Sequence, residues 1–201
     1  MYCILVTGIP AAGKSTIAAF LAEYFGLPVI SKDKIKELMY DDIGFQSREE
    51  KVKLGIASMN IMYYMATQLM KNNQPFILEN NFEKISKEPL LEIFERYSYI
   101  AITVTLTGNY SKIYKRFVER NNSPDRHRGH VVNDRYPEKA PNRIVKPISY
   151  ENFVNGVINR GMESFVANGP HIVIDTTDFE KINIETLIKK INDYREEILH
   201  G

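Results

Sequence analysis

The sequence predicts an α/β fold, with a parallel sheet of about five strands and helices on both of its faces. Apolar runs alternate with helical patterns along the 201 residues, and no internal repeat or low-complexity tract interrupts them. The first apolar run, a glycine-rich turn, an alanine-rich helix and a second apolar run follow one another within about thirty residues, as in one βαβ unit. We expect a chain of this length to form a single domain over residues 1–201.

Five short apolar runs are the predicted strands. They occupy residues 3–7, 28–31, 76–79, 99–107 and 171–176. The helix that joins the first two runs is expected to end at Gly26, because glycine readily adopts the left-handed backbone that caps a helix. An amphipathic segment over residues 184–200 predicts a closing helix that packs on the sheet.

One long helix is predicted over residues 47–72. Ser47 followed by Glu50 is a capping-box pattern at its start. Apolar residues recur along one face at Ile56, Met59, Tyr63, Ala66 and Met70. Two interpretations stay open here. A helix that faces the core is the favoured one, and the other is an adaptable acceptor pocket lined by Met59, Met62, Met65 and Met70.

Composition is that of an ordinary globular protein, with 44% hydrophobic and 25% charged residues. The net charge of +1 gives no overall field that would attract nucleic acid or an anionic membrane. The single cysteine, Cys3, excludes an intramolecular disulfide and multi-cysteine zinc sites, and we expect an inert buried thiol. Neither a signal-peptide pattern nor a run of roughly 18 apolar residues is present. These features predict a cytoplasmic protein.

Charge is uneven along the chain. From Lys112 to Lys146 there are ten basic and four acidic residues, an excess of six positive charges. The remainder has 16 basic and 21 acidic residues. Much of the basic excess falls in residues 121–147, an irregular stretch with four prolines. Because a long irregular segment in a compact domain is usually functional, this stretch is predicted to be a lid or a substrate-binding segment.

Residues 8–16, GIPAAGKST, match the pattern G-x-x-x-x-G-K-[ST] in full. In such a P-loop, backbone N–H groups surround phosphate oxygens, the lysine follows the β- and γ-phosphates, and the hydroxyl is a magnesium ligand. The helix after it directs its positive N-terminal end at the same anion. The sequence therefore predicts a site for ATP and Mg²⁺, with Lys14 in catalysis and Ser15 on the metal. The loop residues are Gly8, Ile9, Pro10, Ala11, Ala12, Gly13, Lys14, Ser15 and Thr16.

Two classes of P-loop protein are disfavoured. A GTPase would carry an Asn-Lys-x-Asp motif that reads the base, and the sequence has none. A mechanical ATPase usually needs a longer chain and adjacent acids after its third strand, where this chain has Glu79 followed by amides. An acid after the second strand and arginines late in the chain instead favour phosphoryl transfer to a small hydroxyl.

That acid is Asp33. The carboxyl ends of parallel strands face the binding crevice of an open α/β sheet, so we expect Asp33 opposite the P-loop. There it can accept the proton of an incoming hydroxyl. Lys36, three residues on, shares its helix face and can hold an anionic acceptor. The alternative for Asp33 is a structural role at the start of a helix.

Arginines are concentrated after the fourth predicted strand. Arg116 and Arg120 are four residues apart on one helix face, and Arg120 is the strongest single candidate. Arginine suits phosphate because its planar fork makes paired hydrogen bonds and stays charged. The other candidates, in the irregular segment, are Arg126, Arg128, Arg135 and Arg143. We expect Arg116, Arg120 and Arg126 to bind the nucleotide and Arg128 to bind the acceptor. A solvated charged loop is the alternative.

His127 and His130 are three residues apart, but no third ligand accompanies them and the flanking arginines would repel a cation. We expect these histidines to contact substrate or solvent, with His130 on the acceptor side. Magnesium brought with the nucleotide is the expected metal.

These residues resemble the small P-loop kinases grouped around phage-type polynucleotide kinase, zeta toxin and chloramphenicol phosphotransferase. The matching stretches are GIPAAGKST, SKDKIKE, FILENNF and RFVERNNSPDR, in the order that this group uses. The resemblance implies ATP-dependent phosphorylation of an alcohol. By this resemblance Asp33 is the base, Glu79 with Asn80 or Asn81 lies near the acceptor and magnesium, and Arg120 and Arg126 belong to the lid.

The chain departs from that group at two places. Lys36 stands where polynucleotide kinases favour arginine, which weakens the prediction of a nucleic-acid acceptor. Ala11 and Ala12 stand where runs with glycine and serine are commoner, a tolerable change because backbone amides do the binding.

The expected acceptor is therefore a small molecule: a nucleoside, a sugar, a sugar nucleotide (as for a zeta-like toxin) or an antibiotic. The acidic remainder of the chain would repel long nucleic acid. Two alternatives remain open, a kinase for the 5′-hydroxyl of a short nucleic-acid end and a non-catalytic module regulated by ATP.

Overall fold

A computed structural model describes residues 1–140 and 144–200. Its strands are β1 (Tyr2–Gly8), β2 (Val29–Ser31), β3 (Ile77–Glu79), β4 (Ile100–Thr107) and β5 (His171–Asp175). Its α-helices are α1 (Lys14–Phe25), α2 (Lys32–Asp42), α3 (Arg48–Lys71), α4 (Lys84–Tyr97), α5 (Tyr110–Asn122), α6 (Arg128–Val131), α7 (Tyr150–Arg160) and α8 (Ile184–His200). A 3₁₀ turn covers Phe179–Lys181. Arg143, one of the predicted lid arginines, lies outside the described residues.

The five strands form one parallel sheet in the order β2-β3-β1-β4-β5. The central strand β1 pairs with β3 up to Val6 opposite Glu79, and with β4 up to Gly8 opposite Leu106. The connection from β1 leads to β2 on one side of β1 in the sheet, whereas the connection from β3 crosses to β4 on the other side. Where connections diverge in this way, a crevice opens at the carboxyl ends of the strands. The predicted α/β P-loop fold is confirmed.

Each face of the sheet carries its own core. Along β1, Ile4 and Val6 face one side and Cys3 and Leu5 the other, as the two-residue period of a strand requires. Buried residues of α1, α5, α7 and α8 pack on the first side, and those of α3 and α4 pack on the second. The thiol of Cys3 is fully buried, and burial raises its pKa well above the usual range.

The long helix α3 agrees with the predicted span. The Ser47 hydroxyl accepts a hydrogen bond from the Glu50 N–H at 3.1 Å, but the Glu50 carboxylate binds the N–H of Gln46 rather than that of Ser47. Met62 and Met70 are buried in the core, which supports the core-facing interpretation for these two, whereas Met65 is 42% exposed. Ile56, predicted for the same apolar face, is instead 58% exposed.

The irregular segment carries more structure than its sequence predicts. Helix α5 continues to Asn122, and the single turn α6 follows after five residues. Val132 packs with Tyr40 and Phe45 in a third, smaller core that joins this segment to α2. The backbones of Phe45 and Tyr136 also form an isolated antiparallel bridge. Residues 126–136 are therefore packed on the domain rather than extended into solvent.

No helix within residues 1–140 and 144–200 combines the length and the apolar character needed to cross a bilayer.

Helix α4 offers a matched test of the second core. Leu90 is completely buried, whereas Ile85 on the same helix is 83% exposed. We expect Leu90→Ala to lower the free energy of unfolding by about 2–5 kcal/mol, because the cavity left behind cannot collapse fully. Ile85→Ala should change it by no more than about 0.5 kcal/mol. Urea denaturation measures both, and equal losses would contradict the packing of α4.

Candidate active site

The P-loop wraps the space at the end of β1. Gly8, Ala11 and Gly13 have φ angles of 123°, 64° and 90°, which lie in the left-handed region. A Cβ on Gly8 would lie 2.0 Å from the Leu106 carbonyl oxygen, and one on Gly13 would lie 2.2 Å from the Phe179 ring. Neither position admits a side chain. Ala11 adopts a conformation that costs an L-residue about 1–2 kcal/mol, a strain of the kind found at functional sites.

Lys14 is held inside this loop. Its Nζ donates a hydrogen bond to the Ile9 carbonyl at 2.8 Å, and the side chain is buried. Burial lowers the pKa of Lys14 to about 8, with Arg120 and Arg126 acting in the same direction and Glu79 and Asp33 opposing them. An anion that enters the loop would restore the pKa of this ammonium, because opposite charge favours the protonated form.

Glu79, at the end of β3, lies beside the P-loop. One carboxylate oxygen accepts a hydrogen bond from the Ser31 hydroxyl at 2.5 Å, and the other lies 3.4 Å from the Ser15 hydroxyl. The Ser15 hydroxyl oxygen and a Glu79 carboxylate oxygen thus lie close together. Mg²⁺ is commonly bound by one or two such protein oxygens, with substrate phosphates completing its coordination. Ser15 and Glu79 fit the predicted metal position.

The two amides after Glu79 diverge. Asn81 lines the cleft, whereas Asn80 is buried and its Nδ2 lies 3.9 Å from the sulfur of Met59. Asn80, which we expected on the acceptor, is therefore turned into the core, and Asn81 is the one that faces the cleft.

Asp33 lies in the first turn of α2 and lines the cleft opposite Lys14. Burial alone would raise the pKa of its carboxyl group, but four basic groups outweigh burial and hold the pKa below its usual range. In order of effect, these groups are His130, Lys36, Arg126 and Lys14. Asp33 is therefore an ionised carboxylate at neutral pH, ready to accept a hydrogen bond.

Arg116 and Arg120 differ in how they are held. The guanidinium of Arg116 donates to the carbonyls of Thr176, at 2.6 Å, and Thr177, which follow β5. Arg120 has a buried Nε with no hydrogen-bond partner. Burial and the neighbouring Arg126 lower the pKa of Arg120 to about 10, against the attraction of Asp33 and Glu79. Arg116 is fixed in place, whereas Arg120 retains a donor for a ligand.

Arg126 and Arg128 also line the cleft. The Nε of Arg126 is buried and unpartnered, as in Arg120. Arg128 instead makes paired hydrogen bonds of 2.7 and 2.9 Å with Glu138 inside the irregular segment. Two buried guanidinium donors that face the same cleft without an acceptor indicate an anion site, because a buried unpaired donor costs about 1–3 kcal/mol.

The two histidines pair with carboxylates of α2. His130 Nε2 lies 3.1 Å from Glu37 Oε1, and His127 Nε2 lies 3.0 Å from Asp41 Oδ1, which also accepts from the Tyr136 hydroxyl. Since a carboxylate can only accept, the imidazole N–H groups donate. These bonds tie the irregular segment to α2, a role that the sequence did not suggest.

The cleft has a volume of about 890 Å³. It brings together the following predicted residues: Pro10, Ala11, Gly13, Lys14, Ser15, Thr16, Asp33, Glu79, Arg116, Arg120, Arg126 and Arg128. It does not bring Gly8, Ile9, Ala12, Lys36, Asn80 or His130 to its wall, although Lys36 and His130 lower the pKa of Asp33. Glu37 and Asp41 also line the cleft, and the sequence analysis missed them. They follow Asp33 by four and eight residues, a spacing that places all three on one helix face and could have identified them.

A family model described as an AAA domain matches residues 4–139, about two thirds of the chain. The chain belongs to the AAA domain family. As an AAA-domain protein it has a P-loop nucleotide fold, and the matched region runs from β1 through the irregular segment as far as Lys139. The family description names a domain and not a reaction. No curated protein matches the chain.

Solved structures share the fold over nearly the whole chain. A protein assigned as a kinase from Chloroflexus aurantiacus matches with a TM-score of 0.71 at 23% identity, covering 98% of this chain and 96% of that one. A gluconokinase from Sinorhizobium meliloti gives 0.56 at 13% identity, with 99% and 97% covered. A shikimate kinase from Bacteroides thetaiotaomicron gives 0.52 at 14%, with 100% and 99% covered. At these identities the likeness shows the fold.

The bond between Glu37 and His130 yields a pH test. The His130 hydrogen bond, helped by Lys34 and opposed by burial, lowers the pKa of Glu37 from 4.5 to about 2. Because the folded pKa is the lower one, ionised Glu37 stabilises the fold above the unfolded pKa, and this contribution is lost as pH falls through the folded pKa. We expect Glu37→Gln to be less stable than wild type at neutral pH, with a difference that narrows from about pH 4.5 towards pH 2.

Urea denaturation across this pH range measures the difference. Glu49→Gln is the control, since Glu49 is 77% exposed and only pairs with Lys53 on the surface of α3. A Glu37→Gln difference that stayed constant with pH would contradict the bond.

Proposed function

We propose that the protein is an ATP-dependent kinase that transfers the γ-phosphate of ATP to a hydroxyl of a small acceptor. The observation that carries the proposal is the meeting in one cleft of a P-loop lysine, an ionised carboxylate and two arginines with free donors. A protein that only binds a nucleotide needs the P-loop alone. Transfer of the phosphate to a hydroxyl also needs a group that accepts the hydroxyl proton, and the carboxylate opposite the loop can do so. The kinases among the solved structures that share the fold are consistent with this reaction.

In this proposal the nucleotide lies along the P-loop. Backbone N–H groups of Ala11, Gly13, Lys14 and Ser15, at the N-terminus of α1, surround its phosphates. Lys14 exchanges its bond to the Ile9 carbonyl for phosphate oxygens, and Ser15 with Glu79 would hold Mg²⁺. Magnesium, when bound, neutralises charge on the β- and γ-phosphates. Arg116, held flat by two carbonyls, offers a planar face against which the base can stack.

The acceptor approaches from the side of Asp33. Its hydroxyl oxygen attacks the γ-phosphorus, the proton passes to the Asp33 carboxylate, and the bond to the β-phosphate oxygen breaks to release ADP. Arg120 and Arg126 would bind the oxygens of the transferred group, where negative charge develops. Their buried donors are already in place and need no reorganisation.

We further propose that residues 121–147 act as a lid within a single domain. A lid over the phosphates excludes water, which would otherwise take the phosphate from ATP. The part of this segment that the structure describes is anchored to α2 through His127, His130 and Tyr136. The closer assignment to the group of polynucleotide kinase, zeta toxin and chloramphenicol phosphotransferase rests on the shared motifs.

Nucleotide binding tests the first half of the proposal. We expect Lys14→Ala to abolish ATP binding in the presence of magnesium, because the buried ammonium supplies the charge inside the loop. Lys53→Ala, which removes a surface lysine that is 69% exposed, should leave affinity unchanged. Calorimetry measures both. Absence of ATP binding by wild type, or equal affinity in Lys14→Ala, would refute the nucleotide site.

Acceptor-dependent turnover tests the second half. We expect Asp33→Asn to keep ATP affinity and to lower turnover by about 10²–10⁴, because a general base typically supplies this factor. Arg120→Ala should also lower turnover, through lost charge stabilisation. Asp42→Asn is the control, since Asp42 is exposed at the end of the same helix. Full activity of Asp33→Asn would refute the role of the base.

The acceptor is found by measuring ADP release with nucleosides, sugars, sugar nucleotides, aminoglycosides and 5′-hydroxyl oligonucleotides. A kinase shows release stimulated by an acceptor. Slow hydrolysis that no acceptor stimulates would instead support an ATP-regulated binding module. If only oligonucleotides respond, with steep salt dependence and a preference for longer strands, the enzyme is a polynucleotide kinase.

A further inference from the structure

His130 lies where α6 of the irregular segment packs on α2. Its side chain is only 7% exposed and does not line the cleft, although the sequence predicts it on the acceptor side. The Lys51 ammonium on α3 donates to the His130 backbone carbonyl at 3.1 Å, and Nε2 of the ring lies 3.1 Å from the Glu37 carboxylate. Both the backbone and the ring of His130 are therefore held in place.

These contacts fix the tautomer of the ring. A carboxylate only accepts hydrogen bonds, so Nε2 carries the hydrogen that Glu37 binds. Burial lowers the pKa of His130 below its usual value, although Glu37 and Asp33 oppose this effect, so the imidazole is mainly neutral at neutral pH. In a neutral ring with its hydrogen on Nε2, Nδ1 has a lone pair that can accept a proton.

The neighbouring His127 differs from His130 in how its second nitrogen is used. His127 also pairs through Nε2 with a carboxylate of α2, that of Asp41, at 3.0 Å. Its Nδ1 is occupied, because it accepts a hydrogen bond from the Gly129 N–H at 3.1 Å. Within residues 1–140 and 144–200, no donor binds Nδ1 of His130. Of these two histidines, His130 is the one that keeps an unused ring nitrogen.

The same ring interacts with Asp33. Asp33 and Glu37 are four residues apart in α2 and share one helix face, so a ring held by Glu37 lies near Asp33. Asp33 raises the pKa of His130, and His130 has the largest effect of the basic groups that lower the pKa of Asp33. In the described part of the chain, no hydrogen bond joins the two residues. None is possible while Asp33 is ionised and Nδ1 is unprotonated, because both groups can only accept.

Titratable groups face the ring from each element around it. Two carboxylates favour its protonated form, and two cations oppose it. The carboxylates are Glu37 and Asp33 on α2, and the cations are Lys36 on α2 and Arg126 in the irregular segment. The other titratable neighbours are two rings at 5.7 and 5.9 Å between centres and one lysine that binds the backbone: Tyr40, His127 and Lys51. A proton on Nδ1 would therefore be paired with two carboxylates.

We propose that His130 receives the proton that Asp33 takes from the acceptor hydroxyl. The inference rests on the proposed kinase function and adds the next step of the same reaction. As the new O–P bond forms, the hydroxyl proton passes to the Asp33 carboxylate, and the resulting carboxylic acid then gives it to Nδ1 of His130. Asp33 returns to its ionised form, and the imidazolium lies between the Asp33 and Glu37 carboxylates until it loses the proton to solvent. His130 does not touch the acceptor and acts through Asp33, so it is a positioning residue for the base.

This step has a purpose because a closed cleft excludes water during transfer. A proton that stayed on Asp33 would prevent the next turnover, and the carboxyl group holds it weakly since basic groups keep its pKa below the usual range. The buried ring behind the wall of the cleft takes the proton away from the transferred phosphate. Lys51 and Glu37 keep the ring in position for this transfer.

NMR of the imidazole nitrogens in the full-length protein tests the arrangement without an acceptor. We expect His130 to carry its hydrogen on Nε2 and to titrate at lower pH in Asp33→Asn than in wild type, because the carboxylate that favours the imidazolium is gone. His200 is the internal control, since it pairs with Glu196 at 3.1 Å on α8 and is 75% exposed, and its titration should not move. An unchanged His130 titration in Asp33→Asn, or a hydrogen on Nδ1, would overturn the proposal.

His130→Gln tests the step in turnover, with an acceptor found by the measurements of ADP release. The glutamine amide can still donate to Glu37, but it cannot take up a proton. We expect unchanged ATP affinity and melting temperature and a kcat that is lower by about tenfold or more, whereas His200→Gln should have no effect. Wild-type kcat should also fall as pH falls through the pKa of His130, which lies below 6.5, because a protonated ring cannot accept. His130→Gln should lack this part of the pH profile.

The outcomes separate this step from the kinase proposal. Wild-type kcat in His130→Gln, or a lower kcat with the wild-type pH profile, overturns the proton step and leaves the kinase proposal standing. If no compound stimulates ADP release by the wild-type protein, the kinase proposal fails and the proton step fails with it. If His130→Gln does not fold, the titration of His130 in Asp33→Asn still decides whether the two residues interact as proposed.

Discussion

The pairing of β1 between β3 and β4 determines where every candidate site residue lies. Parallel registration sets Val6 beside Glu79 and Gly8 beside Leu106, so the loop that leaves β1 passes directly over the end of β3. Glu79 then bridges Ser15 of the P-loop and Ser31 of β2 through its two oxygens. Because Ser31 immediately precedes α2, the same contact sets the start of the helix that carries Asp33. A shift in register would separate the phosphate loop from the carboxylate.

Charge is the second constraint on this cleft. A buried cation is tolerated when a carboxylate or several neutral acceptors surround it, and is costly otherwise. Lys14 has both, through the Ile9 carbonyl and the nearby Glu79 and Asp33. Arg120 and Arg126 have buried Nε atoms without acceptors. Two guanidinium groups with unused buried donors therefore line the same cleft as the loop, where a phosphate group would lie.

How much of this arrangement the sequence predicts depends on how local each feature is. The parallel sheet follows from the alternation of elements, and the five predicted strands agree with the observed ones to within one residue at each end. Asp33 could be found because the carboxyl end of a strand faces the crevice. The sequence could not predict whether Asn80 or Asn81 faces the cleft. Both follow a strand of only three residues, and the backbone direction after Glu79 decides which side chain points into the cleft.

Other long-range contacts escaped prediction. Lys51 looks like a surface lysine in the first turn of a helix, yet it is buried by residues about eighty positions away. The pairing of His130 with Glu37 spans a similar distance along the chain, and no spacing rule relates the two residues. Ile56 fits the apolar period of α3 but lies outside the contact with the sheet, so periodicity alone assigned it to the wrong environment.

These long-range bonds hold the segment that carries Arg126 in place before an anion binds. Binding that must first order a loop loses part of its energy to that ordering, and electrostatic stabilisation is strongest when donors are fixed beforehand. Here the segment that carries Arg126 is already secured, by Lys51 to α3 and by His127 and His130 to α2. None of these anchors uses the Nε of Arg126, which stays free. The contacts that hold the segment are thus separate from the donors that face the cleft, so the guanidinium groups are ordered before any anion arrives.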